Sequence, residues 1–287
     1  KENEGPALEP GRFVMPEPFE LTGDPKQGPK LLGSPFALLR FRAEEGLLNP
    51  DLDPVTGEGE KVGIWVNLKS RTKWRSLYPL AGDKFAEYLP VRMVLPRQDV
   101  PALKKETVAV AFNNRDGLVT RTGALPLKSG FTIFFVGKLD PESGGQIFLE
   151  PNNGRGALAS LRIGFDGNVI ASTRMGSSLE ESTVSVPWDE AGVGVIAYGC
   201  GPEEGAHRLL GLPASASKPE IAEGDLPLQP SPFRRLFLGK HDAKANPGGR
   251  KATWMLEVVL YDTLLTTEEM KTVSRNLSRF YFRSSNP

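Results

Sequence analysis

Short runs of apolar residues, separated by turn-forming residues, recur along most of this chain of 287 residues. In the segment 107–112, Val108, Val110 and Phe112 share one face, which is the period-two pattern of a strand. The segment 131–136 is apolar at nearly every position, which is typical of a strand buried on both faces. The predicted strands cover residues 36–42, 107–112, 131–136, 146–149, 161–165, 168–172, 193–198, 235–239 and 254–261.

The spacing of these strands predicts the fold class. From residue 107 onward they follow one another at intervals of roughly 10 to 20 residues without alternating helices, as in antiparallel sandwiches. Asp166 and Gly167 separate two of the strands and suit the tight turn of a hairpin, because both tolerate a positive φ. The pattern therefore predicts an all-β protein built as an antiparallel sandwich.

One helix is predicted, at the carboxyl end of the chain. Thr266 is a suitable N-cap, and Glu269 three residues later completes a capping box. Leu265 and Met270 are placed to form a hydrophobic staple across the first turn. The apolar residues that then recur at helical spacing are Met270, Val273, Leu277 and Phe280. We expect this apolar face to lie against the sandwich.

The first 35 residues differ in composition from the rest of the chain. Prolines and glycines recur through them, and proline fixes φ and lacks an amide donor. We expect residues 1–35 to form an extended Pro/Gly-rich arm and residues 36–287 to form one folded domain. The whole chain holds 31 Gly and 25 Pro, which favours short strands and turns over a helical bundle.

The charges and the residue inventory exclude several classes of function. The 35 Lys and Arg residues balance the 35 Asp and Glu residues, so no long-range attraction to nucleic acid is expected. Cys200 is the single cysteine, which excludes an internal disulfide and a cysteine-based zinc site. His207 and His241 lie near predicted loops, and we expect them to be exposed or locally bonded.

No membrane span is predicted, because no uninterrupted apolar stretch approaches the ~18 residues that a spanning helix needs. No charged-then-apolar leader is visible at the amino end. The chain starts at Lys1 rather than Met, which fits a processed precursor.

The carboxyl-terminal sequence carries a more specific signal. Residues 254–270 read Trp-Met-Leu-Glu-Val-Val-Leu-Tyr-Asp-Thr-Leu-Leu-Thr-Thr-Glu-Glu-Met, and the pattern runs on to Leu277 and Tyr281. This segment resembles the closing strand and helix of the concanavalin A-like lectin/glucanase superfamily, in particular of its laminin-G-like domains. The segments that resemble other parts of those domains, in the same order, are 36–48, 112–118, 131–139 and 235–240.

The resemblance implies a jelly-roll of two curved antiparallel sheets. Members of this family bind carbohydrate or protein, serve as adhesive or accessory modules, and are only sometimes catalytic. Laminin-G-like domains often bind calcium. The resemblance also implies a secreted, cell-surface or periplasmic location.

The acidic residues do not form the motif of the catalytic members. Those members carry Glu-x-Asp-x-x-Glu or Glu-x-Asp-x-Glu on one strand, where alternation places the carboxylates on one face. This sequence has neither pattern, and Glu257, the acid embedded in a strong strand, stands alone. The motifs of serine hydrolases, zinc peptidases and dinucleotide-binding proteins are also missing from the sequence. We therefore expect a protein that is not an enzyme.

Exposed aromatic side chains are the first candidates for a sugar contact. Trp74 lies in a polar stretch, Tyr78 follows it closely, and Trp188 lies in a predicted loop. The alternative for Trp74 is a ring that caps the edge of the sandwich. Trp65 and Trp254 lie inside apolar runs, where core packing is expected.

A basic stripe accompanies Trp74. Its residues are Lys69, Arg71, Lys73 and Arg75, at alternate positions. On a strand they would share one face and could bind sulfated or uronic glycans, phosphate or an acidic partner. The alternative is an edge strand that its charges guard against aggregation.

Oxygen ligands for a possible Ca²⁺ ion are found in one loop. Asn113, Asn114 and Asp116 supply amide and carboxylate oxygens, which are the ligands that Ca²⁺ prefers. Asp166 and Asn168 form a second oxygen-rich pair, for which a plain hairpin turn is the favoured interpretation.

Three functions fit these observations. The favoured one is a non-catalytic binding or accessory module that recognises a polysaccharide or a surface protein. The second is a structural subunit of a larger assembly, such as an envelope complex, a filament or a virion, docked through residues 1–35. The third is a polysaccharide hydrolase whose carboxylates come from separate strands.

Overall fold

The computed structural model describes residues 37–68, 76–79, 89–112, 116–120, 130–139, 147–151, 158–163, 167–174, 181–189, 192–201, 206–225, 233–239 and 253–283. The predicted arm, residues 1–35, and the predicted basic stripe, within residues 69–75, lie outside the described residues.

The described residues form β-strands and one carboxyl-terminal helix. The first strands are β1 (Ala37–Arg42), β2 (Leu47–Leu48), β3 (Ile64–Trp65), β4 (Leu77–Pro79), β5 (Val91–Leu95), β6 (Thr107–Phe112), β7 (Gly117–Thr120) and β8 (Phe131–Lys138). They are followed by β9 (Ile147–Pro151), β10 (Leu158–Ile163), β11 (Val169–Arg174), β12 (Glu181–Val186), β13 (Val193–Cys200), β14 (Ala206–Pro213), β15 (Glu220–Asp225), β16 (Phe233–Gly239), β17 (Thr253–Tyr261) and the helix α1 (Thr267–Tyr281).

These strands form two sheets in which neighbouring strands are antiparallel. Sheet A has the order β15-β14-β13-β8-β17-β6-β5, and β1 also pairs with β17. Sheet B has the order β12-β11-β10-β9-β16-β7-β4-β3-β2. Along one edge, β17 pairs with two strands in turn. Its residues 253–255 pair with β6, and its residues 257–261 pair with β1. The prediction of an all-β antiparallel sandwich is confirmed.

Apolar layers cover both faces of sheet A. Between the sheets, Phe135 and Val258 of sheet A share a buried cluster with Leu238 of sheet B. On the other face, Phe134 and Val136 lie in a second cluster with residues of α1. Successive side chains of β8 therefore alternate between two apolar layers, which explains why its sequence is almost continuously apolar.

The helix α1 begins as its sequence predicts. The Thr266 side chain accepts a hydrogen bond from the Glu269 amide, and the Glu269 side chain accepts one from the Thr266 amide. Leu265 and Met270, the predicted staple, are both buried. The residues of α1 that are buried are Met270, Val273, Ser274, Leu277 and Tyr281. In the described part of the chain, no helix has the length and apolar character needed to cross a membrane.

The sequence predicts no strand between residues 199 and 234, but the structure has two strands in this interval. β14 and β15 lie in this interval and pair as an antiparallel hairpin at the edge of sheet A. The apolar pattern of β14 is interrupted by Gly211 and Pro213, and β15 is an edge strand whose residues are exposed or half-buried. A strand whose residues stay this exposed lacks the alternation of apolar and polar residues from which a strand is predicted.

Candidate functional site

A pocket of about 570 Å³ lies on the face of sheet A that also carries α1. Its floor is a row of residues that crosses three neighbouring strands of the sheet. Lys138 of β8 lies in the middle of this row, paired with Trp254 of β17 on one side and with Val193 of β13 on the other. The amide of Ala214 donates to the carbonyl of Val193 at 2.9 Å and extends the row. Directly paired residues of neighbouring strands point to the same face of a sheet, so these side chains form one floor.

The walls of the pocket come from four separate segments, near residues 99–102, 189, 215 and 283. One wall is the turn between β5 and β6, which includes Val100 and Ala102, and it meets Arg283 just after α1. The Arg283 amide donates to the Ala102 carbonyl at 2.9 Å, and the Lys104 amide donates to the Tyr281 carbonyl at 3.0 Å. These backbone hydrogen bonds hold the end of the helix against the turn and fix this wall.

The opposite wall carries a carboxylate that the protein itself orients. Asp189 Oδ1 accepts a hydrogen bond from the Gly192 amide at 2.9 Å, and Oδ2 accepts one from Ser215 Oγ at 2.7 Å. Gly192 has a φ of +66°, a left-handed conformation that glycine adopts without strain. A Cβ on Gly192 would lie 3.7 Å from Cε of Lys138, so this turn runs directly beside the lysine side chain.

The pocket combines an apolar floor with a few polar groups, which is the usual composition of a small-molecule site. The polar groups comprise two carboxylates, Asp99 and Asp189, two cations, Lys138 and Arg283, and the Ser215 hydroxyl. Asp99 and Arg283 are exposed, whereas Lys138 and Asp189 are half-buried. Such a set can exchange several hydrogen bonds with a polar ligand while apolar surface is buried beneath it.

The structure gives different positions to the aromatic residues that the sequence proposes as contacts. Tyr78 in β4 is only 1% exposed and packs with Leu48, Ile64 and Val66. Its ring is used for packing, so it is not an exposed platform for a sugar. Trp74 and the basic residues Lys69, Arg71, Lys73 and Arg75 lie outside the described residues, and their role stays a prediction.

Trp188 is half-buried beside β13 and β14. A Cβ on Gly194 would lie 2.9 Å from the Trp188 ring, and one on Gly211 would lie 3.3 Å from it. The two glycines therefore make room for the ring, which covers one end of the layer between the sheets. The indole Nε1 of Trp188 is buried without a hydrogen-bond partner among the described residues, and its role as a sugar contact stays a prediction.

The core positions predicted for Trp65 and Trp254 are confirmed, since their exposed fractions are 0% and 5%. Trp254 has a second role that the sequence does not reveal, because its ring also forms part of the pocket floor. No local sequence pattern predicts the other pocket residues either. They are far apart in the chain, and the pairing register that brings them together leaves no local pattern.

The proposed calcium ligands are only partly described. Asp116 is 3% exposed, and Asn113 and Asn114 lie outside the described residues. Among the residues that the structure describes, no group of three or more His, Cys, Asp or Glu side chains could hold a metal ion. The Ca²⁺ site stays a prediction.

Cys200 has the character of a core residue. It is 5% exposed and lies in the apolar layer between the sheets. Burial raises the pKa of its thiol to about 12. Because the thiolate is the reactive form, this cysteine is unsuited to nucleophilic chemistry.

His207 is not at the surface. It is 1% exposed in β14, so of the two expected alternatives, an exposed or a locally bonded histidine, the exposed one is wrong for His207, whereas His241 lies outside the described residues. Its Nε2 lies 3.4 Å from Ser182 Oγ, which itself donates to the Asp225 carbonyl at 3.2 Å. Its Nδ1 has no partner among the described residues. Burial lowers the pKa of His207, and the charge of Asp225 opposes this effect only in part.

We expect the fold to lose stability as the pH falls below the ordinary histidine pKa of about 6.5. The folded state binds the His207 proton less readily than the unfolded state does, so protonation favours unfolding. The slope is at most about 1.4 kcal/mol per pH unit, the value for one proton. Urea unfolding between pH 7.5 and pH 5.5 measures it, with His207→Gln as the control. If the free energy of unfolding of that variant falls with pH as steeply as that of the parent chain, His207 is not the cause of the loss of stability.

No protein-family model matches the sequence, and no curated protein matches it. Among solved structures, an arabinofuranosidase complexed with arabinofuranosyl-α-1,2-xylobiose is similar at a TM-score of 0.56 and 14% identity, over 88% of this chain and 62% of that chain. A mutant GH54 α-L-arabinofuranosidase soaked with 4-nitrophenyl α-L-arabinofuranoside has the same TM-score and identity, over 90% of this chain and 62% of that chain.

A carbohydrate-binding module, the CBM40 of Ruminococcus gnavus IT-sialidase bound to α2,3 sialyllactose, is more distant. It has a TM-score of 0.37 and 13% identity, over 52% of this chain and 83% of that chain. This chain thus spans about 62% of the length of the arabinofuranosidases that it resembles more closely. At 14% identity, that resemblance shows the β-sandwich fold and nothing finer.

Proposed function

We propose that this chain is a non-catalytic carbohydrate-binding module of the laminin-G-like kind, and that the pocket on sheet A receives the glycan. The pocket is the observation that carries this proposal. Its volume of about 570 Å³ falls within the usual range for ligand sites, about 300–1,000 Å³. We also propose a secreted, cell-surface or periplasmic location, as the family resemblance implies.

The lining of the pocket suits a sugar. A pyranose or furanose ring has an apolar C–H surface and a rim of hydroxyl groups. Trp254, Val193 and Ala214 offer an apolar floor, and the oriented Asp189 carboxylate offers a hydrogen-bond acceptor. One similar arabinofuranosidase holds arabinofuranosyl-α-1,2-xylobiose, so an arabinoxylan fragment is a suitable first probe.

Hydrolysis is the second candidate, because the pocket holds two carboxylates from separate segments, Asp99 and Asp189. Retaining hydrolysis needs two carboxyl groups placed about 5 Å apart on either side of the bond to be cut. Against this role, both oxygens of Asp189 already accept hydrogen bonds from within the protein. The proposal of a structural subunit depends on residues 1–35, which lie outside the described residues.

We expect the whole chain to bind at least one class of oligosaccharide without releasing product. A glycan array followed by calorimetry measures binding, and reducing-end or nitrophenol release measures hydrolysis. Ser215→Trp places a bulky ring at the pocket and should weaken binding at least tenfold. Ser217→Trp is the matched control, because Ser217 is also exposed on this turn but does not line the pocket.

Three results would contradict the proposal. If no oligosaccharide binds, or if Ser215→Trp binds as tightly as the parent chain, the pocket is not a glycan site. If product is released and Asp99→Asn stops the release, the chain is a hydrolase rather than a binding module.

A further inference from the structure

We infer that the glycan held in this pocket carries an anionic group, either a uronic acid carboxylate or a sulfate ester, which pairs with Lys138. This inference rests on the proposed function and adds the chemical class of the ligand. It concerns the floor of the pocket, where a cation lies among apolar side chains.

Lys138 lies in an unusual environment for a lysine. Its register partners on either side, Trp254 and Val193, are each only 5% exposed, and Lys138 itself is half-buried. Among the described residues, no carboxylate oxygen forms an ion pair with its ammonium group within 4.0 Å. An ammonium group without a counter-ion, beside apolar surface in a pocket, is available to form a charge-assisted hydrogen bond with an anionic ligand.

Asp189 also lines the pocket and is the half-buried acid that could neutralise Lys138, but its carboxylate forms hydrogen bonds with other groups. Its two oxygens accept hydrogen bonds from Gly192 and Ser215 at 2.9 and 2.7 Å. The Gly192 turn packs beside the methylene stem of Lys138. The turn therefore positions the lysine chain and orients the aspartate without joining the two charges in a salt bridge.

Arg283 adds a second cation at the rim of the pocket. Its backbone is fixed to Ala102 by a hydrogen bond of 2.9 Å, and its side chain has no ion pair among the described residues. A guanidinium group can bind a carboxylate or a sulfate through two parallel hydrogen bonds. Asp99 is also exposed at the rim, and water screens the charges of both residues there, so the half-buried Lys138 carries the main electrostatic contribution.

The apolar floor increases the expected preference for an anionic glycan over a neutral one. An ion pair that forms over Trp254 and Val193 lies in a medium of lower dielectric than water, so its electrostatic attraction is stronger. A neutral sugar gains the same apolar contact but leaves the ammonium group without a partner. We therefore expect the charge of the ligand, rather than the size of its ring, to dominate the affinity.

Calorimetric titration of the whole chain with trigalacturonate, a chondroitin sulfate tetrasaccharide and neutral xylotriose tests this inference. We expect at least one acidic probe to bind at least tenfold more tightly than xylotriose, with affinity that falls as salt rises. Lys138→Met keeps the stem but removes the charge, and should weaken acidic binding at least tenfold without changing xylotriose binding. Lys138→Arg should retain the preference for acidic probes.

Lys218→Met is the matched control, since Lys218 is exposed and does not line the pocket. Binding of trigalacturonate alone or of the sulfated probe alone would support the inference and identify the anionic group. Equal affinity for all three probes, or acidic binding that Lys138→Met leaves unchanged, would overturn it while the proposed glycan site stands. If none of the probes binds and the glycan array is also blank, both the inference and the proposed function fail.

Discussion

Replacing Glu257 with alanine is expected to lower the free energy of unfolding by about 3–5 kcal/mol, the cost of breaking a buried ion pair. Glu257 is fully buried, with an exposed fraction of 0%. Its carboxylate accepts hydrogen bonds from Arg40 Nε at 2.8 Å and from the Tyr281 hydroxyl at 2.6 Å, and Arg42 Nε lies 3.7 Å away. Without the carboxylate, cationic groups remain buried beside an empty space.

This carboxylate joins three elements of the fold. Arg40 and Arg42 lie on β1, Glu257 lies on β17, and Tyr281 lies in the last turn of α1. Burial raises the pKa of Glu257, and Arg40, the Tyr281 hydroxyl and Arg42 oppose that rise. The strands β1 and β17 and the final helix therefore depend on one another through a single buried group.

Urea unfolding at pH 7 measures this effect. Glu223→Ala is the matched control, because Glu223 is 55% exposed and pairs with Arg208 at 3.1 Å. An exposed pair contributes about 0–1 kcal/mol, so the control should change stability little. Equal losses in the two variants would show that the buried network does not hold these elements together.

The sequence predicted those parts of the fold that local patterns encode. The apolar run at 131–136 indicated a doubly buried strand, and β8 lies between two apolar layers. The capping box of Thr266 and Glu269 placed the start of α1 correctly. Both signals arise within a few neighbouring residues, so they are visible without knowledge of the tertiary structure.

The candidate site could not be predicted in the same way. Lys138, Val193 and Trp254 are adjacent only because β8, β13 and β17 pair in one particular register. Strand register depends on interactions between distant segments, and no local pattern of the sequence reports it. Trp254 was correctly predicted as a core residue, yet its contribution to the pocket follows only from its neighbours in the sheet.

Glu257 shows a signal that the sequence did contain. Glu257 is the single acid in the apolar strand 254–261, and an isolated acid of this kind needs a buried partner. Arg40 and Arg42 alternate in the opening strand, so their side chains share one face of it. A buried acid in one strand and two alternating cations in another could have predicted that β1 and β17 pair, as they do.

Replacing Phe282 with alanine is the second substitution for which we expect a large effect, a loss of about 3–5 kcal/mol in the free energy of unfolding. Phe282 caps α1, is 1% exposed, and forms an isolated β-bridge with the fully buried Leu103. Truncating its ring leaves a cavity between the helix end and the turn that forms one wall of the pocket. The amides of Arg283 and Lys104, whose hydrogen bonds join these segments, should then exchange hydrogen faster.

Phe280→Ala provides the comparison within the same helix. Phe280 is half-buried, and its ring lies 5.4 Å from the guanidinium carbon of Arg42. Less of its surface leaves water on folding, so its truncation should cost less than that of Phe282. Urea unfolding ranks the two variants, and hydrogen exchange shows where each one loosens the structure. If Phe280→Ala is the more damaging variant, the helix is held by its contact with Arg42 rather than by the packing of Phe282 against the turn.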